Sequence, residues 1–225
     1  MNDDEFFDLI QRLLKVEDDS WGMYAFSRDI LQNKVDEQMK KAMIKKAICC
    51  GYEKAEEVIS VYGNNPFDIA RRLGLNVRIS YEAQASDRVL FALFTPPKDI
   101  LLMEEPIKKA GFIPEIHNTI TEEQIMALLL GHELFHYFEE NDKCIYTRTE
   151  KISLFHFWKF KYRSTIRALS EIAAMYFTKR LNRFSWSPFA LDFILYYNYD
   201  REVAMRIYEE VFHCTYNTNG GSYEQ

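Results

Sequence analysis

The order of periodicities along this chain predicts an α+β fold, and three observations carry the reading. Residues 5–60 place apolar side chains at helical spacing. Residues 75–103 change to alternation. A helical period then returns around His132-Glu133-Leu134-Phe135-His136 and again over Ile166–Phe177. Helices, then three strands, then helices again describe a small three-stranded sheet packed against a helix, with extra helices at both ends.

The first helical stretch carries Phe6, Phe7, Ile10, Leu13 and Leu14 as one stripe. Ile30, Leu31, Val35, Met39, Met43, Ile44 and Ile48 form a longer one. Lys40, Lys41, Lys45 and Lys46 lie between these apolar positions and read as a solvated helix face. Asn65 to Gly74 is a short punctuated helix: Asn65 suits the N-cap, Pro66 the first helical position and Gly74 the C′ position. Leu75, Val77 and Ile79 alternate with polar residues as a half-buried strand. Val89–Phe94 is a second strand, ended by Pro96-Pro97, and Ile100–Met103 a third. The next helix opens with a capping box, either Thr121 with Gln124 or Thr119 with Glu122.

Residues 141–165 form a long connection in which Trp158, Phe160 and Tyr162 alternate with Lys159, Lys161 and Arg163. That pattern predicts an edge strand with one packed face. The alternative is an aromatic lid that takes an extended peptide by strand addition. From Pro188 on, Phe189, Leu191, Phe193, Ile194, Leu195, Val203, Ile207 and Val211 predict one or two packed helices ending near His213.

At 225 residues, with 48% hydrophobic and 28% charged residues, the chain can bury one sizeable core. A net charge of −6 argues against direct nucleic-acid binding, which needs a basic face. No apolar run approaches the ~20 residues that span a bilayer, so no membrane association is expected. The start, Met1-Asn2-Asp3-Asp4-Glu5, lacks the basic and apolar regions of a secretory signal. Cys49, Cys50, Cys144 and Cys214 form no C-x-x-C pair and suggest no disulfide framework. Reduced thiols in the cytoplasm are the expectation.

The chemistry concentrates in His-Glu-x-x-His. On a helix His132 and His136 lie one turn apart on one face, with Cβ atoms roughly 5–6 Å apart, so two neutral imidazoles can share a metal ion. Glu133 is rotated to the side, where it can act as general base. Zinc takes nitrogen and oxygen ligands, and a catalytic site keeps one position open. Manganese or iron can occupy the same ligand set. A third ligand is needed downstream. Asp142 stands ten residues after the first histidine, where metzincins carry a third one, but Glu139 replaces the glycine that turns that motif. His156 and Glu150 are further candidates. Glu171 is favoured, because it interrupts an apolar helical run, and a carboxylate on a buried face is costly unless paired or metal-bound. Ala173 and Ala174 leave little bulk beside it, which predicts close approach to the motif helix. The residue that stabilises a tetrahedral oxyanion stays open among Tyr162, Tyr176 and His117.

Three segments together resemble the ImmA/IrrE-type metallopeptidases. They are Asn65-Pro66-Phe67-Asp68-Ile69-Ala70-Arg71-Arg72-Leu73-Gly74-Leu75-Asn76-Val77, Leu130-Gly131-His132-Glu133-Leu134-Phe135-His136 and Glu171-Ile172-Ala173-Ala174-Met175-Tyr176-Phe177. The resemblance implies a zincin-like minimal metallopeptidase domain over 61–190, flanked by helical segments at 1–60 and 191–225. It implies a gluzincin-like zinc site of His132, His136 and Glu171, with Glu133 as catalytic base. It further implies a protein substrate, a helix-turn-helix transcriptional repressor cut by zinc-dependent endopeptidase action. Two positions depart from the family's pattern. Phe135 stands where a small residue is usual, and Arg180-Leu181-Asn182-Arg183-Phe184 replaces a Leu-Leu-Met-Pro-like end. A zinc-stabilised module that sequesters a repressor or toxin without cutting it is the alternative function.

Overall fold

The computed structural model describes residues 3–81, 90–111, 116, 119–157, 160–197 and 199–218. Helices α1 (Asp3–Leu13), α2 (Asp18–Ser27), α3 (Glu37–Tyr62) and α4 (Pro66–Leu73) lead into β1 (Asn76–Ser80), β2 (Ala92–Thr95) and β3 (Asp99–Met103). Helices α5 (Glu104–Gly111), α6 (Glu122–Asn141) and α7 (Tyr146–Thr149) follow. Strands β4 (Ile152–Phe157) and β5 (Phe160–Ser164) precede α8 (Arg167–Leu181), α9 (Ala190–Tyr197) and α10 (Arg201–Thr218). The fold is α+β. No described helix is long and apolar enough to cross a membrane.

Residues 5–60 are not one continuous helical run. Between α2 and α3 the chain turns through a single 3-10 turn, Gln32–Lys34, and Asp36 caps α3 by accepting from Met39 N at 2.8 Å. The apolar stripe read from Ile30 to Ile48 is therefore cut. Ile30 is 94% exposed, whereas Val35, Met43 and Ile44 are buried. Asp29 explains the break. Its carboxylate accepts from Leu31 N at 2.8 Å and, across 139 residues of sequence, from Ala168 N at 2.9 Å. Helix α8 has no side-chain cap of its own at Ile166, so one of its orphan N–H groups is satisfied by this distant loop.

Helix α4 forms as its punctuation predicts. Asn65 Oδ1 accepts from Phe67 N and Asp68 N, and Gly74 takes the left-handed conformation at φ 65°. The sheet has the order β1-β3-β2, with β1 parallel and β2 antiparallel to β3. The second strand spans Ala92–Thr95 rather than starting at Val89, which lies outside the described residues, and it stops before Pro96. Ile100 and Leu102 of β3 are buried in one cluster with Leu130, Leu134 and Phe135 of α6. The connection from 141 to 165 holds α7 and a β4–β5 hairpin pairing Ile152 with Ser164 and Phe157 with Phe160. Trp158 and the side chains of Phe160 and Tyr162 lie outside the described residues. The predicted tail helices are α9 and α10, the second running on to Thr218.

Helix α8 is the wall between two hydrophobic clusters. Leu169, Ile172 and Tyr176 face the larger one, with Phe6, Trp21 and Phe193. Ala173, Ala174, Phe177 and Leu181 face the smaller one, with the sheet and α6. Its close approaches are made by glycines on the neighbouring helices. A Cβ at Gly51 of α3 would lie 2.3 Å from Ala173 O and 2.9 Å from Phe177 N. A Cβ at Gly131 of α6 would lie 2.3 Å from Thr178 Oγ1, which itself donates to Leu128 O at 2.8 Å. The small residue that brings α8 against the motif helix is thus Gly131, while the backbone at Ala173 is approached by α3.

On helix propensity alone, Gly51→Ala would stabilise by about 1 kcal/mol. The contacts at Gly51 are to backbone, which cannot swing aside, so overpacking of about 1–3 kcal/mol outweighs that gain. Urea unfolding of the variant should show a net loss of stability. A net gain would contradict the close approach of α3 and α8.

Candidate metal centre

Helix α6 starts with a reciprocal capping box at Thr121 and Gln124, with bonds of 3.2 and 2.9 Å, and not at Thr119 and Glu122. Ile125, Leu128, Leu134 and Phe135 are fully buried and fix its rotation. Phe135 fills its place by packing on Phe177 of α8, with ring centroids 5.7 Å apart. That rotation turns His132 and His136 toward α8, where Glu171 sits one turn in from the N-terminus.

The three side chains converge. His132 Nε2 lies 3.0 Å from His136 Nε2 and 3.4 Å from Glu171 Oε2, and His136 Nε2 lies 4.0 Å from the same oxygen. Ligands at about 2.0–2.1 Å in a tetrahedron stand roughly 3.3 Å apart, so this triangle fits one zinc ion. The donor chemistry fits as well. Two imidazole lone pairs and a carboxylate aimed at one point repel one another unless a proton or cation lies between them. His132, His136 and Glu171 are 14%, 21% and 33% exposed at the side chain, so the cluster is partly buried and keeps some access to solvent.

Glu133 is outside this ligand cluster. It is 7% exposed, and its Oε2 accepts from Phe94 N of β2 at 2.7 Å. The sheet edge therefore orients the residue expected to act as base. Glu171 points Oε2 at the imidazoles, while Arg167 lies 3.4 Å from Oε1.

Burial alone would raise the Glu171 pKa. The hydrogen bond to His132 and the charges of His132, His136 and Arg167 outweigh it and bring the value down to about 2. Burial alone would lower the His132 pKa, but the bond to Glu171 and the charges of Glu133 and Glu171 leave it raised.

The other proposed ligands stand elsewhere. Asp142 ends α6, accepts from Cys144 N at 2.9 Å and pairs with Lys54 at 3.2 Å. Glu150 ends α7, outside the cluster. The side chain of His156 lies outside the described residues, as do His117 and the side chain of Tyr162. Tyr176 is no oxyanion partner. Five residues beyond Glu171, it points about 140° round the helix, and its hydroxyl donates to Asp18 O at 3.0 Å.

Three neighbours of the site escaped the sequence reading. Glu139 entered it only as a departure from the metzincin motif, yet its carboxylate faces His136 Nδ1 at 3.4 Å. Asp192 of α9 lies within electrostatic reach of His132 and Glu171. Burial pushes its pKa up to about 6 against the pull of Arg28 and His132. The Phe94 amide is backbone, which no residue pattern reveals. His132 Nδ1 is buried and makes no hydrogen bond among the described residues.

Comparison with protein families, with curated proteins and with solved structures finds no match to this chain.

The pKa directions set two opposite pH trends. Without metal, the raised His132 pKa stabilises the fold below the ordinary value of 6.5, and this is lost as pH rises through the raised value. The lowered Glu171 pKa stabilises above the ordinary 4.5 and is lost as pH falls. Zinc needs His132 neutral, so its affinity should weaken about tenfold per pH unit below the His132 pKa. Chelator competition and thermal unfolding of the metal-free chain, each from about pH 5 to about pH 8, should therefore run in opposite directions above about pH 6.5. Zinc affinity independent of pH would contradict the ligand set.

Proposed function

We propose that this chain is a zinc-dependent endopeptidase with a zincin-like arrangement, akin to the ImmA/IrrE-type metallopeptidases it resembles. The observation that carries the reading is the convergence of His132, His136 and Glu171 on one point, with Glu133 beside them on the same helix. Three converging ligands with some access to solvent are what a catalytic centre requires, whereas structural zinc sites are closed by four protein ligands. The small mixed sheet packed on α6 and the second helix that supplies Glu171 agree with this arrangement.

When bound, zinc would act as a Lewis acid on the scissile carbonyl and make a water molecule acidic enough to attack at neutral pH. His132 and His136 would hold the metal through Nε2, and Glu171 through Oε2. Glu133 is fixed by the Phe94 amide at Oε2, which leaves Oε1 to take a proton and to deliver it to the leaving amine. The substrate class proposed is a helix-turn-helix transcriptional repressor in the cytoplasm. The net charge of −6 means that it is found by protein contact rather than on nucleic acid.

One observation favours the non-hydrolytic alternative, a zinc-stabilised module that sequesters a repressor or toxin. Glu133 is buried and already hydrogen-bonded, as a structural carboxylate would be. Glu133→Gln separates the two readings, because the amide oxygen can keep the Phe94 bond but cannot take the proton. With a repressor encoded nearby as substrate, cleavage should fall about 10²–10⁴-fold while zinc content and fold persist. Undiminished cleavage would sink the endopeptidase mechanism. Full biological activity without cleavage would establish the sequestering module.

A further inference from the structure

His136 turns Nε2 toward the ligand cluster, so its Nδ1 points the other way, toward the junction of α6, α7 and α8. Two oxygens meet Nδ1 there, Glu139 Oε2 and Ser170 Oγ, each at 3.4 Å. Ser170 Oγ also donates to Glu139 Oε2 at 2.7 Å, and Thr147 Oγ1 donates to the other oxygen, Glu139 Oε1. The Glu139 side chain is 15% exposed, and Thr147 is buried.

This is more than a helix-surface pair. A His–Glu pair three residues apart, left in water, contributes a few tenths of a kcal/mol. Here both oxygens of a mostly buried carboxylate accept from hydroxyls on two other elements. Burial would raise the Glu139 pKa, yet His136, Thr147 and Ser170 together hold it below the usual carboxylate range. Arg148 ties α7 to the same place, donating to the Glu139 and Glu140 carbonyls at 2.9 Å each. Ser170 is the residue immediately before the ligand Glu171.

We propose that Glu139 is the positioning residue of the metal centre, and that Ser170 of α8 and Thr147 of α7 hold it in place. The proposal rests on the metal-site reading of His132, His136 and Glu171. An imidazole that binds metal through Nε2 carries its hydrogen on Nδ1. A carboxylate that accepts this hydrogen fixes the tautomer and the ring plane and strengthens the nitrogen as a ligand. The same carboxylate, gripped by Ser170, sets the register of α8 against α6 one residue from Glu171. The short helix α7 thereby becomes part of the centre rather than a spacer between its two ligand-bearing helices.

The probe is zinc alone, measured by chelator competition on the full chain, with unfolding of the metal-free form recorded in parallel. Glu139→Ala should weaken zinc binding about 10–100-fold. Glu139→Gln keeps an acceptor but not the charge, and should fall between that variant and the wild type. Ser170→Ala should weaken binding less than Glu139→Ala. Ser170→Ala should cost less in the Glu139→Ala background than in the wild type, because its grip on Glu139 is then already gone and only its own contact with His136 Nδ1 remains. A purely structural role would lower the unfolding midpoint and leave zinc affinity alone. If Glu139→Ala does not fold, Ser170→Ala and Glu139→Gln read the same quantity.

Wild-type affinity in the Glu139 and Ser170 variants, with binding lost in His136→Ala, overturns this proposal and leaves the metal site standing. A wild-type chain that binds no zinc overturns the metal-site reading, and this one with it.

Discussion

The separation between α6 and α8 governs the site, because His132 and His136 sit on one helix and Glu171 on the other. Their ligand atoms meet at 3.0–4.0 Å only if the two backbones lie close. Gly131 permits that approach, and Gly51 lets α3 press on α8 from another side. Helix α8 is thus held between neighbours by packing against main-chain atoms, which yield less than side chains do. Asp29 adds a polar constraint by capping the start of α8 from the N-terminal loop. Asp29 at Ala168 and Gly51 at Ala173 therefore fix the helix within one turn of Glu171, and Gly131 fixes it again at Thr178, about two turns further on.

Electrostatics gives the cluster its chemical direction. Burying a carboxylate beside two imidazoles is unfavourable for isolated groups and becomes favourable when a cation joins them. In the metal-free chain the contact between His132 and Glu171 leaves the His132 pKa raised and the Glu171 pKa lowered, so a proton on His132 can serve in that part at low pH. Zinc would replace the proton. The outward-facing nitrogens are treated differently. His136 Nδ1 meets Glu139 and Ser170, whereas His132 Nδ1 has no hydrogen-bond partner among the described residues. The two imidazoles are accordingly not equivalent, although the sequence motif presents them as a symmetric pair.

Much of this was legible from local rules. The caps of α4 and α6, the spacing of His132 and His136, and the oddity of Glu171 in an apolar run depend on residues within a few positions of one another. What was not legible depends on distance in sequence. No local pattern ties Asp29 to Ala168, and without that bond the stripe from Ile30 to Ile48 reads as uninterrupted helix. Ala173 and Ala174 signalled a close helix contact and do share a cluster with the motif helix, but only the packed structure shows that Gly51 of α3 meets the Ala173 backbone and that Gly131 of α6 meets Thr178. Glu139 looked like a missing glycine because its partners, Thr147 and Ser170, come from two other helices.

Metal content per chain, in the purified wild type and in Glu171→Ala, tests the central claim most directly. The account expects about one zinc per wild-type chain and much less in the variant, because two imidazoles alone are an incomplete catalytic ligand set. Full zinc stoichiometry in Glu171→Ala would contradict the assignment of α8 as the third arm of the centre. A wild type without metal would reduce His132 and His136 to two packed helix residues.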